Sequence, residues 1–88
     1  MNGAGHRDQL SVMADILRVA ADQPLKTRIM YKANLSHRQL MGYLNRLIEM
    51  GLLAVAADPA NGRLRYRVTE KGLQFLKDYS KLNRLFSR

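Results

Sequence analysis

Apolar positions along the chain change their period once. From Asp8 to Ala21, Leu10, Met13, Leu17 and Ala20 recur at helical spacing, and Val12, Ile16 and Val19 widen the stripe. This predicts a first helix, ended by Asp22-Gln23-Pro24 because proline disfavours helical geometry in the residue before it. A shorter second helix is expected from about Thr27 to Ala33, with Ile29, Met30 and Ala33 inward and Asn34-Leu35 as the turn. The third opens at Ser36, whose hydroxyl can accept the backbone N–H three residues on while Gln39 reaches back, a reciprocal cap. Leu40, Leu44 and Leu47 share its inner face, flanked by Tyr43 and Ile48, and Gly51 supplies the stop.

The period then falls to two. Leu53 and Val55 alternate with Ala54 and Ala56 in a first strand, "DPANG" (58–62) is rich in turn formers, and Arg63 to Val68 alternates without a break. Leu64, Tyr66 and Val68 are expected in the core, with Arg63, Arg65 and Arg67 on the opposite face. Thr69 caps a last helix of about 69–86, favoured by Glu70 in its first turn. Leu73, Leu76, Tyr79, Leu82, Leu85 and Phe86 follow on one broad face, with Leu73 and Leu76 assigned to the domain core. Residues 1–7 have no apolar period and read as a flexible tail before a single domain over 8–88. The order helix-helix-helix-strand-strand-helix is a mainly α fold with a β-hairpin, a helix-turn-helix carrying a wing.

"TRIMYKANLSHRQLMGYLNRLIEMGLL" followed by "YRVTEKGLQFLKDY" resembles small archaeal winged-helix proteins described as predicted transcriptional regulators. The likeness runs from about Ile16 to Tyr79. It implies a DNA-binding fold; some such relatives dimerise through the last helix, and some act as chromatin-like DNA binders. The resemblance departs at Gly42, where related sequences often carry a larger polar or basic residue.

Charge points the same way. Fifteen Lys and Arg against seven Asp and Glu give +8, with a sequence pI near 10.5. The balance is −1 over residues 1–23, +4 over 24–53, +2 over 54–72 and +3 over 73–88. Clustered positive charge at this pI is the electrostatic footprint of a nucleic-acid binder. The chain has no cysteine, and its two histidines, His6 and His37, have no ligand spacing. Acidic residues are scattered singly, so paired carboxylates for acid–base catalysis are lacking. No enzyme activity, metal or cofactor is expected. No apolar run approaches the ~20 residues of a membrane span, and "MNGAGHRDQL" lacks a signal-like apolar stretch. A cytoplasmic, nucleoid-associated location is the expectation.

Three groups carry the candidate chemistry. On the outer face of the third helix lie Arg38, Gly42 and Asn45, with Met41 and Arg46 at the margins. Arg38 can make a bidentate contact to guanine, Asn45 the equivalent contact to adenine, and Met41 can touch a thymine methyl. Glycine inside a helix costs about 1 kcal/mol relative to alanine, so Gly42 suggests close approach of the backbone to a groove or phosphate; a tolerated surface glycine is the plainer reading. Lys26, Thr27 and Arg28 at the second helix, with Ser36 and His37 at the third, suit phosphates. Arg63, Arg65 and Arg67 suit phosphates along the wing, unless they only blunt a sheet edge. Tyr31 and Tyr43 read as partly buried packing residues. Leu82, Leu85 and Phe86, joined by Leu10 and Met13, form the expected homodimer interface. RNA and protein-interaction winged helices are the alternatives to duplex DNA.

Overall fold

The computed structural model describes residues 8–86, so the tail expected at 1–7 lies outside the described residues. The elements are α1 (Gln9–Val19), a 3-10 turn (Ala20–Asp22), α2 (Lys26–Ala33), α3 (His37–Glu49), β1 (Leu53–Ala57), β2 (Leu64–Val68) and α4 (Glu70–Phe86). The expected order is observed.

Each boundary has a local cause. Asp8 caps α1 by accepting the Ser11 N–H at 2.7 Å. Gln23 leaves the 3-10 turn in the left-handed region, and Pro24 prevents continuation. Asn34 closes α2 with φ 57°, a conformation asparagine tolerates better than most residues. Ser36 and Gln39 form the reciprocal cap of α3: Gln39 N donates to Ser36 Oγ at 3.2 Å, and Ser36 N donates to Gln39 Oε1 at 3.0 Å. Gly51 follows α3 with φ 76°, where an L side chain would be strained.

The start of α4 covers the end of α3. Lys71 Nζ donates to Met50 O at 2.8 Å, and Thr69 Oγ1 donates to Gly51 O at 2.7 Å while accepting the Gly72 N–H at 3.0 Å. The carbonyls of Met50 and Gly51, just past the end of α3, are thereby satisfied, while those of Arg46, Leu47 and Ile48 accept from the backbone of residues 50–52. Inside, Val12, Met13, Ile16 and Leu17 of α1 meet Ile29, Ala33, Leu40, Leu44 and Leu47. Leu52, Leu53, Tyr66 and Val68 close this core from the hairpin side.

The strands are antiparallel, with register from Leu53↔Val68 to Ala57↔Leu64. A single bridge, Leu25↔Arg65, and the bond from Tyr66 N to Pro24 O at 3.0 Å attach the α1–α2 connection to the other edge of β2. One residue pair has no periodicity, so nothing in the pattern announces it.

Three burial expectations need correction. Leu64 is exposed although its parity matches Tyr66 and Val68, and Val55 is also exposed. Leu64 pairs with Ala57 at the tip end of the ladder, whereas Val55 sits mid-strand opposite buried Tyr66. Leu73 is exposed as well. The inward line of α4 is Gly72, Phe75, Leu76 and Tyr79, so Phe75 takes the place given to Leu73. Its ring stacks on Tyr79 with centroids 6.2 Å apart. Tyr31, expected to be partly buried, is 83% exposed on the outer side of α2.

Candidate nucleic-acid interface

The outer face of α3 carries Arg38, Gly42 and Asn45, all exposed. Arg38 and Asn45 make no side-chain hydrogen bond to another described residue, so both can turn to a ligand. A methyl group built on Gly42 would meet nothing within 4 Å, and internal packing therefore does not require a glycine there. Met41 and Arg46 stand differently. Met41 is half-buried against the core, and Arg46 Nη2 donates to Gln9 Oε1 on α1 at 3.1 Å. Of the five residues expected to read bases, three face outward unengaged, one is partly spent on packing and one is held by α1.

The starts of α2 and α3 lie side by side. Lys26 and His37 are the first residues of their helices, and Lys26 Nζ lies 3.2 Å from His37 Nε2. Lys26 and Thr27 share a surface groove with Arg63, floored by Leu25, Leu64 and Tyr66. The structure thus gathers Lys26 of α2, His37 of α3 and Arg63 of the hairpin from separate parts of the sequence. No side chain caps the N-terminus of α2, which leaves its positive dipole end open to an anion. Arg28 faces Asp22 at 3.9 Å, a loose exposed pair worth little. Ser36 accepts the cap hydrogen bond, so its oxygen is already committed.

Strict alternation predicts three equivalent arginines on one face of the hairpin, and the structure corrects this. Arg63 precedes β2 within the turn, and its backbone N–H donates to Asn61 Oδ1 at 2.9 Å. Arg65 is a strut: Nε donates to Asp58 Oδ2 at 2.8 Å, and Nη1 donates to Gln23 O at 3.1 Å. Arg67 is exposed and has no described partner. Asp58 organises the tip, because its other oxygen accepts the Ala60 N–H at 2.8 Å. That bond, then the Arg65 guanidinium, holds the Asp58 carboxyl below its ordinary value of 3.8. Aspartate at the head of "DPANG" is a known maker of such turns, and that is the local signal for this organising role. The Gln9–Arg46 contact joins residues 37 apart in sequence and carries no local signal.

A model of the winged helix-turn-helix family matches residues 6–87. The chain belongs to that family. The hairpin is its wing, and α2 and α3 are its helix-turn-helix. Over 81 residues the chain is 33% identical to the uncharacterized protein MJ0287 of Methanocaldococcus jannaschii, covering 91% of this chain and 74% of that one. Among solved structures it resembles Sso10a-2, a DNA-binding protein from Sulfolobus solfataricus, with TM-score 0.78 and 28% identity over 90% of this chain and 81% of that one. The PcaV transcriptional regulator of Streptomyces coelicolor shares the fold, with TM-score 0.71 and 23% identity over 86% of this chain and 59% of that one. This is a small winged helix of archaeal type. Among the described residues, no helix is long and apolar enough to cross a membrane, and no group of His, Cys, Asp or Glu is placed to hold a metal.

The interface residues expected on α4 also have definite positions. Leu82, Leu85 and Phe86 are exposed, the last two at 76% and 84%, and Leu10 is exposed on α1. Met13 is a correction: at 3% exposure it belongs to the core of its own winged helix and is not available to a second copy.

Proposed function

We propose that this chain is a non-catalytic protein that binds duplex DNA and acts in transcription regulation. The uncovered polar face of α3 carries the reading: Arg38, Gly42 and Asn45 point away from the core, and nothing in the domain uses them. In helix-turn-helix proteins the N-terminal part of this helix meets base edges in the major groove. Arg38 and Asn45 are the base readers in this arrangement, and Gly42 lets the backbone approach closely. Lys26, Thr27 and His37 grip phosphates beside the groove, while Arg63 and Arg67 hold the backbone from the wing. Likeness to the DNA-binding Sso10a-2, over most of both chains, supports the same reading. A second copy joined through α4 doubles the site, as paired half-sites do for other helix-turn-helix proteins.

Competition between duplex DNA, duplex RNA and single strands at fixed salt tests the proposal. Duplex DNA is expected to win. Its affinity should fall steeply with salt, with a log–log slope near −4 to −5 if about five phosphates are neutralised per protomer. Preference for RNA, or a flat salt series with binding retained, overturns it.

A further inference from the structure

One flank of α4 carries a groove that neither the core nor the face of α3 uses. Leu73, Leu76, Lys77, Ser80, Lys81 and Arg84 line about 470 Å³ of open space along the helix. Leu76 is half-buried and ties the floor to the core, while Leu73 stands 48% exposed. Lys77, Lys81 and Arg84 are exposed, and among the described residues none of the three forms an ion pair or a side-chain hydrogen bond. The acids of α4 lie elsewhere. Glu70 sits in the first turn, before the groove begins, and Asp78 lines the neighbouring groove, where it accepts from Gln74 Nε2 at 2.9 Å. Leu73, Lys77 and Arg84 are centred about 150° around α4 from Leu82, Leu85 and Phe86, at about 100° per residue. A second copy seated on the latter three therefore does not cover the former.

The chemistry of the groove selects its occupant. The same flank of another copy would set like charges against each other, on a chain already at +8. A nucleic-acid backbone would match the cations but give Leu73 and Leu76 nothing apolar to pack on. Cations beside leucines fit a surface that carries both carboxylates and apolar side chains. Lys77, Lys81 and Arg84 recur every three or four residues over about 10 Å of the axis, the repeat with which a partner helix presents one face. We propose that this flank of α4 docks an acidic amphipathic helix of a partner protein. Apolar side chains of that helix pack on Leu73 and Leu76, and its carboxylates pair with Lys77, Lys81 and Arg84, as in other helix-in-groove contacts. None of the residues assigned to DNA takes part, so this contact stands or falls apart from that reading.

The probe is a synthetic helical peptide of about four turns, with adjoining stripes of leucine and glutamate at helical spacing. Its controls replace every glutamate by glutamine, or scramble the order so that no apolar face forms. Each is titrated into the intact chain, with amide shifts locating the contact and giving its affinity. The acidic amphipathic peptide should shift residues 73–84 and bind at least about tenfold more tightly than either control, less so as salt rises. Leu73→Ser and Lys77→Glu should each weaken it about tenfold, while circular dichroism reports an unchanged helical fold. Duplex-DNA affinity of Leu73→Ser should equal that of the intact chain. No binding of the acidic peptide, equal binding of the scrambled one, or shifts confined to α3 and the wing overturns the proposal. A loss of duplex-DNA affinity in Lys77→Glu as large as its loss for the peptide makes the stripe a DNA contact, and overturns it too.

Discussion

At Gly72 the first turn of α4 runs so close to the Leu52 carbonyl that a methyl group there would overlap its oxygen and press on Val68 Cγ2. The same segment is held by the Thr69 N–H bond to Leu52 O at 3.1 Å, so neither side can withdraw without losing a cap. Gly72→Ala is therefore expected to destabilise the domain by about 1–3 kcal/mol, the usual cost of forcing extra volume into a packed site. Urea unfolding followed by circular dichroism checks it.

Gly42 has the opposite surroundings, and the same substitution should have the opposite sign. With open space around the missing side chain, Gly42→Ala gains helix propensity and should stabilise the domain by about 0.5–1 kcal/mol. Gly42→Leu should also fold yet bind duplex DNA more weakly, because a side chain then holds the α3 backbone off the groove. Full DNA affinity in a folded Gly42→Leu protein means the glycine is only a tolerated surface residue.

The tip of the wing should weaken in acid. The folded-state carboxyl of Asp58 lies below its ordinary value of 3.8, chiefly through the Ala60 N–H and then through Arg65. A depressed carboxylate contributes stability that is present above the unfolded value and is lost as pH falls through the folded one. Asp58→Asn keeps an acceptor for the Ala60 N–H but has no charge for Arg65. The intact chain should be the more stable at neutral pH, with the difference closing below about pH 3.8. Melting temperatures of both proteins across this range provide the measurement.

How much of this was legible depends on how local each cause is. Helix α3 is readable to within a residue because Ser36, Gln39, the leucine stripe and Gly51 lie within one short stretch. Leu64 and Leu73 are misread because parity and stripe say which way a side chain points, not whether another element stands over it. Arg65 appears equivalent to Arg63 and Arg67 until the fold delivers Asp58 across the turn and the Gln23 carbonyl from 42 residues away. The Lys26–His37 contact is of the same kind. Each reads separately as a phosphate candidate, and only the fold brings the two side chains within 3.2 Å.

Reading and positioning should separate by mutation. Arg38→Ala should weaken the preferred sequence by about 1–3 kcal/mol and relax the preference at one base pair. Arg67→Ala should weaken all sequences similarly and reduce the salt slope by about one. Arg65→Ala is expected to act mainly on the wing, since its guanidinium is held by Asp58 and Gln23. Binding isotherms on a selected sequence and on scrambled duplexes, each over a salt series, distinguish the three. A uniform loss for Arg38→Ala would remove it from the base readers.

The end of α4 bears on assembly. Its inward line of Gly72, Phe75, Leu76 and Tyr79 has its last partner near Arg18, whose guanidinium lies 6.0 Å from the Tyr79 ring centre. Leu82 and Phe86 continue that line at helical spacing, yet every described side chain from Ser80 onward is exposed. An isolated domain gains nothing from a helix extended in this way, and its length contributes to an elongated molecule of 46 × 26 × 20 Å. A second copy covering Leu82, Leu85 and Phe86 would recover roughly 1.5–3 kcal/mol for each fully buried side chain. With Met13 committed to its own core, Leu10 is the remaining α1 candidate for the interface. The intact chain is expected to sediment as a dimer at micromolar concentration, and a chain truncated after Lys81 as a folded monomer. Monomers in both cases would show that α4 needs no second copy, and that DNA is engaged by single winged helices.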